Sequence, residues 1–182
     1  MQAPTFVRVE VLTSDLQLTR EQKARQAIEH YLHEVIVNPD NASACNALAW
    51  AYLTAPAELR DVKAAVPLAE NAVRLAASNT NYLNTLGMAY YRAGRYREAA
   101  AVLQDNVEKQ ADWVLAYDLY FLAMSYHRLG ETVRARDYYN WAVRWVTTQQ
   151  DLRPIYLEEL TAFRAEAEEL FGLQRSPNRS GD

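Results

Sequence analysis

Apolar residues recur at spacings of three and four along most of the chain, the period of helices with one buried side. Three stretches carry this pattern in the same register: Ala47-Leu48-Ala49-Trp50-Ala51-Tyr52, Thr85-Leu86-Gly87-Met88-Ala89-Tyr90 and Phe121-Leu122-Ala123-Met124-Ser125-Tyr126. In each, a leucine precedes a small residue and a tyrosine follows three positions later. Tyr52, Tyr90 and Tyr126 stand 38 and 36 residues apart, the length of one helix–turn–helix unit. A turn and a second helix follow, with Gly94, Tyr96, Ala99 and Leu103 in the middle unit and Gly130, Ala135, Tyr139, Ala142 and Val143 in the last. Ala49, Gly87 and Ala123 leave room for a neighbouring helix to approach closely. One such hairpin cannot bury its own apolar face, so several must stack to share a core.

The flanks extend the pattern. Thr19-Arg20-Glu21-Gln22 reads as a capping box opening a helix that carries Ala27 and Tyr31 and ends near Pro39. That segment fits the second helix of a repeat whose first is missing. Arg153 to Phe171 is amphipathic, with Leu157, Leu160, Phe163, Ala167 and Leu170 on one side and Gly172 as its stop. Its charged side (Glu158, Glu159, Arg164, Glu166, Glu169) suits a water-facing cap on the array. About eight helices are expected in all, a count that follows from paired helices per repeat. Thr5 to Leu12 alternates valine with charge, as a strand does, but has no partner strand. It is expected to be a loose arm, or to dock on the array or on another chain. The division is then 1–18 arm, 19–41 partial repeat, 42–79, 80–115 and 116–149 three repeats, 150–173 capping helix, and 174–182 disordered tail.

Composition narrows the class. Alanine (29) and leucine (21) are the commonest residues and both favour helix, whereas five glycines and six prolines are too few for an all-β chain. The fold class is all-α. A net charge of −4 excludes a strongly basic nucleic-acid binder. The single cysteine, Cys45, can form neither an intrachain disulfide nor a cysteine zinc cluster. No apolar run approaches the ~18–20 residues a membrane span needs. The first residues show no basic, then apolar, leader, so the expected compartment is the cytoplasm.

The repeated units resemble the tetratricopeptide repeat (TPR). The middle unit is nearest, with Leu83, Leu86, Gly87, Tyr90, Gly94, Tyr96, Ala99 and Leu103 in place; it departs at Asn106, where the family prefers alanine, and at Ala111, where it prefers proline. The last unit has Ala123 in place of the usual glycine, and the first has roughly four extra residues within Thr54–Val66, in the connection between its helices. Leu68-Ala69-Glu70-Asn71-Ala72-Val73, Tyr90-Tyr91-Arg92-Ala93-Gly94 and Phe163-Arg164-Ala165-Glu166-Ala167 are similar to TPR arrays at the C-terminus of planctomycete-type multidomain bacterial proteins. Those proteins often carry a kinase or propeller upstream. This sequence has no kinase motifs, so it is a freestanding relative or a portion of something longer.

The resemblance implies a right-handed superhelical α-solenoid whose first helices line a concave groove. The groove positions are then Asn46 and Trp50, Asn84, Met88 and Tyr91, and Tyr120, Met124 and His127. Asparagine amides can hold a peptide backbone without reading its sequence, and large aromatic side chains often anchor an interface. The alternative for Trp50 and the methionines is packing between helices. The basic clamp of some TPR proteins is absent, its positions reading Asn46, Tyr117 and Phe121. A second aromatic stripe, Tyr138, Trp141 and Trp145, is expected to lie beneath the C-terminal helix, or else to form an exposed interface.

Catalytic and metal sites find little support. His30 and His33 share a helix with Glu34 but lack a third ligand, and His127 lacks a nucleophile or carboxylate partner. Cys45 sits where the family places a packing residue. The 16 arginines are dispersed and offset by 23 acids. The expected function is a non-enzymatic scaffold, without cofactor or metal, that holds a protein or peptide segment in the concave groove. The alternative is an assembly module that self-associates or adapts a cytoskeletal or membrane-bound partner, as kinesin-light-chain-like TPR proteins do.

Overall fold

A computed structural model describes residues 18–109 and 114–173. The arm at Thr5–Leu12, the tail from Gln174, and Ala111 lie outside the described residues. Eight helices follow one another: α1 (Arg20–Val37), α2 (Ala42–Thr54), α3 (Val62–Leu75), α4 (Thr80–Arg92), α5 (Tyr96–Lys109), α6 (Leu115–Arg128), α7 (Thr132–Thr148) and α8 (Pro154–Leu170). No strand occurs among the described residues.

Local chemistry sets the helix ends. The Thr19 hydroxyl accepts from the Gln22 amide while the Gln22 side chain accepts from the Thr19 amide, closing the capping box of α1. The side-chain oxygens of Asn41, Asp61 and Asn79 each accept from first-turn amides of α2, α3 and α4, without the reciprocal bond. At the other end of α4, Gly94 takes φ +76, which lets its own amide bond Tyr91 O and the Arg95 amide bond Tyr90 O. An L side chain there would be strained, so glycine stops the helix and turns the chain into α5. Gly130 and Gly172 repeat this geometry after α6 and α8.

Each helix packs on the next from α1 to α7, and α2, α4 and α6 also pack side by side to form one inner face. The small residues do what close packing requires: Ala49 and Ala123 are fully buried, and Gly87 faces Leu103 of α5 with no space for a methyl group between them. Water is excluded from α6 along its length, every residue from Leu115 to Tyr126 being buried. Its neighbours are α4, α5, α7 and α8. By contrast α1 buries no residue fully, and it leaves Leu32, Ile36 and Val37 exposed.

The C-terminal helix caps the array by packing on α6, on its inner side. α3 packs along α4 and α5 along α6, but α7 does not pack along α8 in that manner. The two meet at Tyr139, whose hydroxyl donates to Glu168 at 2.7 Å and whose ring lies 5.6 Å from that of Phe171. α8 instead crosses the inner face, touching side chains of α2, α4 and α6. The aromatic stripe of α7 is therefore not roofed by α8 as expected. Trp141 is 40% exposed and Val133 73%, with Tyr138 stacked between Tyr126 and Trp141 and Trp145 half-buried.

Candidate functional site: the trough between the first helices

The inner face is divided in two by α8. Toward the N-terminal end it remains open, as a cavity of about 630 Å³ bounded by α1, α2, α4 and the first turns of α8. Asn46, Trp50 and Asn84 line it, with Tyr31, Tyr82 and Tyr117 adding aromatic wall and Arg20 and Arg153 adding charge. The second part of the trough is filled by α8 itself.

The filling is specific. Phe163 of α8 enters a cage of rings, 6.5 Å from Trp50, 5.7 Å from Tyr117 and 5.0 Å from Phe121 between centroids. Such edge-to-face pairs add roughly 0.5–1.5 kcal/mol each beyond area burial. Three residues further on, Glu166 takes both ends of the Arg92 guanidinium, Nη1 to Oε1 and Nη2 to Oε2, the latter at 2.6 Å. Arg92 is 15% exposed and lies over the rings of Tyr91 and Phe121. One turn before Phe163, Glu159 accepts from the Tyr117 hydroxyl at 2.6 Å.

Burial raises the Glu159 carboxyl above its ordinary value; Glu158 adds to the rise and the Tyr117 hydrogen bond opposes it. A carboxyl raised in the folded state holds its proton more tightly there than in the unfolded chain. Its contribution is therefore favourable at low pH and is lost as pH climbs from the ordinary carboxyl value through the raised one. Glu159→Gln keeps an acceptor for Tyr117 and removes the charge. The expected result is a higher melting temperature than wild type at neutral pH and an equal one below the carboxyl range. A lower value at neutral pH would show that the charge itself is stabilising.

Several residues expected in the groove are withdrawn from it. Met88 and Met124 are completely buried, Tyr120 is 1% exposed and Tyr91 7%. They belong to the continuous core, because α4 is packed among α2, α3, α5 and α6, and α6 among α4, α5, α7 and α8. Tyr91 packs against Tyr96 and Phe121, and Tyr120 faces Tyr139, burial pushing its hydroxyl up to about 12. His127 lies 4.7 Å from the Phe171 ring, at the far end of α8.

The two equivalent asparagines have different fates. Asn84 donates to Asp118 Oδ1 at 2.6 Å, and Asn106 donates to Asp118 Oδ2 at 2.7 Å and to Thr80 O at 2.9 Å. This buried cluster ties α4, α5 and α6 together and explains the asparagine that stands at 106 instead of alanine. Asn46 has no such carboxylate. Its Oδ1 is buried and makes no hydrogen bond among the described residues, though the residue lines the open cavity.

The remaining candidates are structural. His30 pairs with Glu34 at 3.7 Å on an exposed surface, and no group of three or more His, Cys, Asp or Glu residues able to hold a metal occurs among the described residues. Cys45 is buried, its thiol within 3.4 Å of Pro39 O and of the Asn71 amide. No helix among the described residues is long and apolar enough to cross a membrane.

Comparison with known proteins agrees with this geometry. No family model matches the sequence, and no curated protein does. Solved structures do. MamA AMB-1 superposes with a TM-score of 0.55 at 20% identity, over 69% of this chain and 70% of that one. MamA MSR-1 gives 0.54 at 20% identity, over 69% and 68%. Pseudomonas aeruginosa PilF gives 0.55 at 19% identity, over 87% of this chain and 79% of that one. Identities this low speak to architecture alone, and the architecture is shared: the chain has the fold of the tetratricopeptide-repeat structures.

Proposed function

We propose that the chain is a non-enzymatic scaffold that holds a segment of another protein in the open part of its trough. The carrying observation is the cavity of about 630 Å³ whose wall carries Asn46 and Trp50, one turn apart on α2. The amide NH2 of Asn46 can donate to a backbone carbonyl of the segment while Trp50 packs on a neighbouring side chain. The lining is amide, aromatic and arginine, a set suited to gripping rather than to proton transfer. The perturbed pair in the wall, Glu159 and Tyr117, is engaged in holding α8 to α6. The test is a selection of displayed peptides on the full chain, followed by affinity measurement. Asn46→Ala with Trp50→Ala is expected to weaken the selected peptides at least about tenfold; unchanged affinity would place the ligand elsewhere.

A second reading rests on a separate observation. Val133 and Trp141 on α7, and Leu32, Ile36 and Val37 on α1, leave apolar surface bare at the two ends of the array. Stacked repeats cover such ends, and a second copy of the chain could do so head to tail. Light scattering that shows a monomer at every concentration removes that reading.

A further inference from the structure

We infer that α8 is the trough's built-in occupant, and that the outside partner is an amphipathic helix carrying an aromatic side chain with a carboxylate three residues after it. This goes beyond the scaffold reading: it concerns the part of the trough that α8 fills, not the open cavity.

Three observations carry the inference. First, α8 is built like the first helix of a fourth repeat. It ends on a glycine in the same left-handed conformation as α4 and α6, with the same pair of closing hydrogen bonds, and it packs on α6 as α6 packs on α4. It nevertheless lacks the long contact with the preceding helix that α4 and α6 both have, and crosses the trough instead. Second, its hold has the form of a ligand's footprint. Only Leu160, Phe163 and Ala167 are fully buried on α8, centred on the ring cage and flanked by the Arg92–Glu166 fork and the Tyr117–Glu159 bond. An aromatic anchor beside a bidentate charge pair is how compact interfaces gain both energy and register. Third, the charges are complementary. The trough offers the guanidinium of Arg92, and α8 offers the carboxylate of Glu166.

A helix tethered through the short 149–153 connection competes at an effective concentration of roughly millimolar, so an outside helix binds with an affinity reduced by the fraction of docked α8. Changing α8 alone therefore exposes the site without altering the receptor. The probe is a fluorescein-labelled synthetic peptide of residues 152–173, added to the full chain. The wild-type chain should bind it weakly. Phe163→Ala should bind it at least about tenfold more tightly. Glu166→Arg, which leaves every apolar contact of α8 in place, gives a second released form should the first fail to fold. A probe carrying both changes should bind neither, and Arg92→Glu introduced into the released chain should abolish binding of the unaltered probe. Released chains with full helix content that bind the probe no better than wild type would overturn the inference and make α8 a fixed part of the core. If cavity-selected peptides bind wild type and released chains equally while the probe binds neither, the scaffold reading stands and this one falls. If the probe binds the released chains and no selected peptide needs Asn46 or Trp50, the reverse holds.

Discussion

Asp118→Ala is expected to lower stability by about 3 kcal/mol or more, since each hydrogen bond to a buried carboxylate contributes roughly 1.5–3 kcal/mol and the abandoned amides gain no water. The carboxylate is completely buried and receives Asn84 from α4 and Asn106 from α5. Three helices of two repeats thus converge on one side chain. A chain of this size loses roughly 2–4 °C of melting temperature per kcal/mol, so a fall of about 6–12 °C is the expected reading in a thermal melt followed by circular dichroism. Asp118→Asn keeps the shape but turns one acceptor into a donor facing an amide, and should fall between the two. A melting temperature within a degree or so of wild type for the alanine variant would mean that the cluster stabilises nothing on balance, as happens with some buried polar groups.

Gly87→Ala is expected to destabilise by about 1–3 kcal/mol, the usual range for overpacking, although alanine is the better helix former by about 1 kcal/mol. A methyl group at this position would overlap the Cγ and both methyls of Leu103, which has no exposed surface into which to turn. The double variant separates the two effects. Leu103→Ala alone should cost about 2–5 kcal/mol, and adding Gly87→Ala to it should cost nothing more or recover part of the loss. Additive losses in urea titrations of the two would show that the overlap is not what makes glycine necessary.

Much of the fold was legible because repeats restate themselves. The leucine–small–tyrosine register located α2, α4 and α6, and Gly94 and Gly130 marked where the first helices of the second and third repeats stop, since each is a local requirement of backbone or packing. The trough was less legible. Asn46, Trp50 and Asn84 were placed on it by register, and they do line the cavity. Register alone could not say that Met88, Tyr91, Tyr120 and Met124 would be covered, because the partners that cover them lie on other helices: Tyr91 packs on Phe121 of α6 and Tyr120 on Tyr139 of α7. The amphipathic period of α8 shows that it needs a surface to lie on, not which one. A usable signal was present in Asp118, a lone acid within Leu115-Ala116-Tyr117-Asp118-Leu119-Tyr120-Phe121-Leu122. A carboxylate in so apolar a helix requires buried donors, and the unusual Asn106 was one of them. A matching signal for α8 was the aromatic Phe163 framed by Glu159 and Glu166, with Arg92 unexplained at the end of α4.

The enclosure of α6 from Leu115 to Tyr126 has a consequence for biosynthesis. Its front is shielded by side chains that come from α8, some 44 residues after Tyr126 by the time Leu170 is made. At ribosomal speeds of roughly 5–20 residues per second, a strongly apolar helix waits a few seconds with one flank unshielded. During that interval the nascent polypeptide presents the cage of Trp50, Tyr117 and Phe121 to whatever is near, and a chaperone that favours aromatic surface would find its substrate there before the last helix arrives.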